Sequence, residues 1–210
     1  MRKGTVLSLK NLKLTEFIFK NNILVLMALL FILGIAAGTF SFSALKPLQN
    51  YSAAFIERFV SDREGSAFFK ILLDSFMHSM LMLMIIFTLG TSMLGVVLAP
   101  LSLTVRGVLY GGVTAMLYSE YGVKGIAFNA VLVLPSAIIF IIALLLASRE
   151  SLRFSLVIAK MSLPSTPSAN LSFDFKNYCG RYLFISLIVL VSAVTDALLS
   201  HSFMSGLKLF

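Results

Sequence analysis

The stretch ILLDSFMHSMLMLMIIFTLGTSMLGVVLAPLSLTVRGVLYGGVTAMLYS, residues 71–119, is apolar almost throughout and is broken only by Asp74, His78 and Arg106. As one helix it would run to roughly 70 Å, more than twice the ~30 Å hydrocarbon thickness of a bilayer. It must therefore fold back on itself. Gly90, Gly95 and Pro100 interrupt the run, so the turn falls between Gly90 and Pro100. This turn carries no charge. It either sits at the interface or re-enters the bilayer, where other helices must shield its backbone.

Working outward, the two halves become helices at 71–90 and 101–119, and a polar break at Glu120–Lys124 separates them from a further apolar run at 125–147. Pro135 lies inside that run and predicts a kink, because it has no amide hydrogen to donate. Apolar runs at 23–42 and 182–204 complete the set. The 23–42 run exceeds a usual secretory core and follows a long basic lead, so it reads as a retained anchor rather than a cleaved signal. The chain is thus an all-α, polytopic membrane protein. Residues 1–210 form a single integral membrane domain, a bundle of about five transmembrane helices with a basic lead at 1–22 and loops at 43–70 and 148–181.

Whole-chain composition agrees: 59% of residues are apolar, 12% are charged and the mean hydropathy is +0.97. A soluble domain needs about twice that charge to cover its surface, and a disordered chain needs low hydropathy. The net charge of +8 does not indicate nucleic acid, since the basic residues flank apolar runs rather than gather on a solvated domain. Cys179 cannot form an internal disulfide, and with His78 and His201 it offers no metal-ligand spacing. Nor is there a serine nucleophile with a paired base, a phosphate-binding glycine loop or a dyad of facing carboxylates. The chain reads as a non-enzyme without metal or cofactor. The methionines Met77, Met80, Met82, Met84 and Met93 read as flexible apolar filler, because the 43–70 loop supplies no soft ligands for a copper path.

Orientation follows from Lys and Arg. With the N-terminus inside, the lead and the 148–181 loop hold ten of them, and the outer segments hold six. That bias places the N-terminus in the cytoplasm and the C-terminus outside. Tyr51, Tyr118, Tyr121, Tyr178 and Tyr182 fall near helix ends, as in an interfacial aromatic belt.

Gly34 and Gly38 in the first helix, and Gly107, Gly111 and Gly112 in the third, are spaced for close helix packing in lipid. Three charged residues lie within the helices. Arg106 is placed a few residues into the third helix, from where its side chain reaches the headgroups or meets an internal partner. Asp74 stands one turn from His78 and near Lys70, which predicts local pairing. Asp196 is deeper, and an intramembrane carboxylate is a functional candidate whose partner the pattern does not name.

The order of these features resembles the stage II sporulation protein M family of spore-forming bacteria over nearly the full length. The likeness rests on Leu33, Gly34 and Gly38; on Leu89, Gly90, Ser92 and Gly95; and above all on Arg106, Gly107 and Gly111, continuing through Tyr121, Gly122, Lys124 and Gly125 to Leu134 and Pro135. Ser148 to Leu156 and Gly180, Arg181 and Tyr182 extend it. Asp196 falls where the family often has an acidic residue. Ser136 and Ala137 replace the family's amides after the proline, and Val96 and Val97 stand where it tends to have a proline. The resemblance implies a role in forespore engulfment at the cell membrane, as a platform acting with the stage II sporulation proteins D and P, which remodel septal peptidoglycan.

A non-catalytic scaffold for cell-wall hydrolases is the leading reading, with homo-oligomerisation left open. A permease-like subunit competes, motivated by Arg106, Asp196, Pro135 and the Gly90–Pro100 turn. Such a subunit would need an ATPase partner or an oligomer. Arg149, Arg153 and Lys160 share a helix face, as a solvated extension of the fourth helix or as a docking site for a partner or anionic lipid. A reporter fused after Phe210 is expected to be active only outside the cytoplasm; cytoplasmic activity would overturn the orientation.

Overall fold

The computed structural model describes residues 22–161 and 171–203. The lead before Asn22, the linker containing Pro164 and Pro167, and the tail with Lys208 lie outside the described residues. The described chain contains α1 (Asn22–Ser41), α2 (Lys46–Arg63), α3 (Phe68–Gly90), α4 (Gly95–Phe128), a π-helical turn (Asn129–Val133), α5 (Leu134–Met161) and α6 (Leu171–Phe203). Among the described residues there are no strands. Backbone groups in hydrocarbon must be paired within the chain, and helices do this locally.

Five long helices alternate in direction. α4 runs from Gly95 to a break at Gly122, whose φ of 53° and ψ of −129° only glycine adopts readily. There the chain reverses, so that Gly125 lies against the Leu117 carbonyl and Asn129 beside Tyr118. α1 and α4 run parallel, with Gly34 over Thr104 and Gly38 over Val108. α6 runs antiparallel to both α3 and α5, as Phe87–Tyr178, Ser75–Asp196, Ala147–Tyr182 and Ser136–Ser192 show. Asn22, Gly90, Gly95 and Leu171 therefore share one end of the bundle, the near end. Ser41, Gly122 and Phe203 lie at the other, the far end.

α5 is central, packing against α1, α3, α4 and α6. The main core joins Met27 and Phe31 of α1, Leu83 and Ile86 of α3, Leu103 of α4, Leu144 of α5 and Ile185 of α6. Outward faces, such as Leu26, Leu29, Ile32 and Leu33 of α1, remain exposed and apolar, as a lipid-facing surface requires. Four stretches are long and apolar enough to span, and one of them, Gly95–Met161, doubles back at Gly122 to give two crossings. The molecule is an all-α, multi-pass membrane bundle.

Several predicted boundaries shift. The stretch expected as an outer loop, 43–70, holds α2, an amphipathic helix started by Pro47 in its first turn and followed by Gly65 at φ 69°. Leu48, Ser52, Ile56 and Phe59 face inward at three- and four-residue steps, and its other face is polar. At the far end Ile56 and Phe59 join Val113, Leu117, Phe128 and Leu132 in a second core. The turn after α3 is only Thr91–Leu94, with helix resuming at Gly95 and Pro100 accommodated inside α4. The loop expected at 148–181 is largely helix, because Ser148, Ser151, Leu152 and Ser155 continue the buried face of α5. It extends the helix, yet it is packed rather than solvated. Pro135 acts on the turn before it: the π turn opens the backbone where the proline ring would meet the preceding carbonyl.

A Cβ at Gly34 would come within 2.5 Å of the Thr104 carbonyl, and one at Gly107 within 2.6 Å of the Phe31 carbonyl. Gly34→Leu or Gly107→Leu is expected to cost about 3 kcal/mol or more, as overpacking against backbone does. Gly180, whose added Cβ meets nothing, should tolerate Ala with no loss. Thermal unfolding in detergent, followed by helical circular dichroism, checks both.

Candidate functional site

Among the described residues, the charged side chains inside the bundle and their polar neighbours form three groups. At the far end, Arg63, the last residue of α2, meets Asp196 of α6 with N–O 2.7 Å. The Arg63 guanidinium also donates to Ser75 Oγ at 3.2 Å and to the Phe59 carbonyl at 3.4 Å, and lies 3.6 Å from the Phe59 ring centroid. Ser75 Oγ in turn donates to Asp196. The side chains of Arg63 and Asp196 are only 15% and 8% exposed, so the pair is shielded from water and screened little by salt. It ties the end of α2 to α3 and α6. Asp196 thus has a named partner, and Ser75 rather than Asp74 is the α3 residue that reaches it. Asp74, Lys70 and His78 are all exposed, and Asp74 forms no ion pair among the described residues. The expected local pairing is absent among the described residues: the three side chains are exposed to the surroundings and no ion pair joins them.

The second group surrounds Arg106. Because α4 begins at Gly95, Arg106 is eleven residues into the helix, about 16 Å from its start, not near the helix end. Its guanidinium lies 5.6 Å from the Phe140 ring centroid on α5, a cation–π distance. It forms no ion pair among the described residues. His78 of α3 feels the charges of both Arg106 and Arg63, and Tyr51 of α2 lies within electrostatic reach of Arg106.

At the near end, buried Glu150 pairs with Arg181 of α6 and stands 3.6 Å from Arg153 one turn along α5. Hydroxyls close the surrounding helix contacts. Ser151 donates to the Ile86 carbonyl at 3.0 Å, Ser155 to the Ser92 carbonyl at 2.6 Å, Tyr178 to the Phe87 carbonyl at 2.9 Å and Tyr182 to the Ala147 carbonyl at 2.9 Å. Gly90 leaves room for this, since a Cβ there would strike the Tyr178 hydroxyl and Ser151. Tyr178 and Tyr182 are therefore core residues, 3% and 6% exposed, and not members of an interfacial belt. The Tyr178 ring stacks with Phe87 and Phe154 and the Tyr182 ring meets Phe87 edge-on, while both hydroxyls find carbonyls.

The glycines singled out from spacing meet across one interface. Gly34 faces Gly107, with Cβ positions 3.2 Å from the opposing Cα atoms, and Gly111 lies on Ile35. Gly112 instead receives Leu48 of α2, 2.7 Å from an added Cβ. Sequence reasoning missed Arg63, Ser75, Glu150 and Ser151. Of these only Glu150 carried a local signal, the three-residue spacing to Arg153.

A small-residue helix interface, an amphipathic helix tied across one end and ion pairs at opposite ends, Arg63–Asp196 shielded and Glu150–Arg181 open on its arginine side, define a polytopic α-helical membrane protein. The sequence model of the family described as stage II sporulation protein M matches residues 27–201, and the chain belongs to that family. Curated proteins and solved structures yielded no significant match.

Removing one member of a shielded pair strands the other charge. Asp196→Ala is expected to cost about 3 kcal/mol, and the double change Arg63→Met with Asp196→Leu to recover most of it. Chemical unfolding in detergent, arranged as a double-mutant cycle, measures the coupling.

Proposed function

We propose that the protein is a non-catalytic scaffold of the sporulation engulfment machinery, which holds septal peptidoglycan hydrolases at the cell membrane. The observation that carries this reading is α2. Its apolar face is locked onto α4, its end is pinned by Arg63 to Asp196, and its polar face with Asn50, Glu57, Arg58 and Asp62 remains exposed. With the N-terminus cytoplasmic, that face lies outside, where wall-remodelling partners such as the stage II sporulation proteins D and P act. Family membership supports the sporulation setting. The glycine contacts between α1 and α4 supply the stiffness a platform needs.

Transport is the second reading, and the observation in its favour is Arg106, a cation inside the bundle with no carboxylate paired to it among the described residues. The two make different demands. A scaffold uses the rim of the bundle, whereas a transporter uses its interior.

Co-purification with the D and P proteins from sporulating cells is expected to fall at least severalfold when Glu57 and Asp62 are both changed to Lys, and to persist in Arg106→Gln. Binding unchanged by the α2 reversal would sink the proposal. Solute flux into proteoliposomes that vanishes in Arg106→Gln would replace it with transport.

A further inference from the structure

Arg63 and Arg181 are answered by carboxylates of the same chain, Asp196 and Glu150. Arg106 forms no ion pair among the described residues. An arginine within hydrocarbon costs several kcal/mol unless something compensates its charge. The charges nearest to hand aggravate the problem, since His78 feels Arg106 and Arg63 together. Phe140 contacts one side of the guanidinium, but a ring quadrupole does not neutralise a full charge. Arg63 Nε and the Tyr110 hydroxyl are also buried without a hydrogen-bond partner among the described residues. The region is short of acceptors and of negative charge.

The position of Arg106 along the bilayer indicates what could supply them. α1 ends at Ser41, beside the level of Gly111 and Gly112, because Thr39 reaches the Gly111 carbonyl and Leu48 of α2 covers Gly112. Arg106 lies six residues below Gly112, about 9 Å along the helix. That depth suits a headgroup drawn slightly inward from the far leaflet. The surroundings are open at that side: His78 on α3 and Tyr51 on α2 are exposed. α3 packs mainly against α5 and α6 and less extensively against its sequence neighbour α4.

We propose that Arg106, with His78 and Tyr51, binds the phosphodiester of an anionic membrane lipid between α3 and α4, against Phe140. The phosphate takes the planar guanidinium in a two-point contact. His78 and Tyr51 add ring N–H and hydroxyl donors, and the acyl chains lie along exposed Leu81, Met77 and Ile85 of α3. The lipid completes the charge balance that the described residues leave open.

The test uses the full chain, purified in a neutral detergent and titrated with phosphatidylglycerol or phosphatidylcholine, with bound lipid counted by native mass spectrometry. The wild type is expected to retain phosphatidylglycerol over phosphatidylcholine by about tenfold or more, and Arg106→Gln to lose that preference. His78→Asp, which keeps the arginine but places a carboxylate nearby, is expected to lower retention as well, so the result does not depend on Arg106→Gln folding. Lys176→Gln, exposed at the near end of the bundle, should leave retention unchanged. Equal retention by wild type and His78→Asp, or no preference in the wild type, overturns the site. Displacement of the lipid by millimolar inorganic phosphate would show that the anion comes from water and overturn the lipid assignment.

Discussion

Two backbones meet where α1 crosses α4, and most of the remaining architecture is set by that meeting. In lipid no hydrophobic effect draws helices together, so association relies on close van der Waals contact and on hydrogen bonds between helices. Gly34 and Gly107 provide the contact by having nothing to interpose. Thr39 adds a hydroxyl that reaches the Gly111 carbonyl at 3.4 Å. The parallel pairing brings the end of α1 to the level of Gly112, and the short link that follows is held by Gln49, whose amide donates to the Phe42 carbonyl at 2.9 Å. Leu48 then drops onto Gly112, and α2 has only one place to lie. Its last residue reaches Asp196 as a result, so an ion pair between residues 133 positions apart depends on a glycine contact at the opposite face of α4.

Polar groups inside the bundle follow a consistent rule. Serine hydroxyls donate across helices to main-chain carbonyls: Ser151 to Ile86, Ser155 to Ser92, Ser192 to Ser136. Each such bond is worth roughly 0.6 kcal/mol in a membrane interior, too little to drive folding alone. Their value is directional, since each one fixes the rotation of a helix about its axis where apolar packing would accept several. The ion pairs sit at the two ends, where α2 and the α5–α6 extension leave the apolar layer.

The spans and their glycines were legible because both depend on local pattern. A long uncharged run has few ways to satisfy its backbone, so α1 and α3 follow from composition, and Gly34, Gly38, Gly107 and Gly111 follow from spacing. The Glu120–Lys124 break also falls where Gly122 reverses the chain. What failed to show was whatever needed a period to be read through polar residues. In α2 the apolar positions Leu48, Ile56 and Phe59 are diluted by Glu57, Arg58 and Asp62, so average polarity disguises an amphipathic helix. Between Ser148 and Ser155 the inward residues are small and polar, and composition again points to a loop. Arg63–Asp196 and Ser151–Ile86 join distant segments, and nothing near either residue names its partner. Tyr178 and Tyr182 misled for a related reason. A tyrosine near a span end suits an interface, and only the approach of Phe87 and Ala147 makes the same residue a core donor.

The π turn at Asn129–Val133 gives one helix two angular phases. It inserts one residue relative to an uninterrupted α-helix, and one residue corresponds to about 100° of rotation. Before the turn, Phe128 points into the far-end core, and at its start Asn129 faces Tyr118; after it, Phe140 faces Arg106, Ala147 faces Tyr182 and Ser151 faces Ile86. A continuous α-helix would satisfy one set and swing the other toward lipid. The single surplus residue therefore works as a phase shifter between the α2 side of the bundle and the α6 side. Deleting one residue there would not merely shorten α5. It would leave every later side chain on the wrong azimuth, so the chain length between Gly122 and Pro135 is itself a structural parameter.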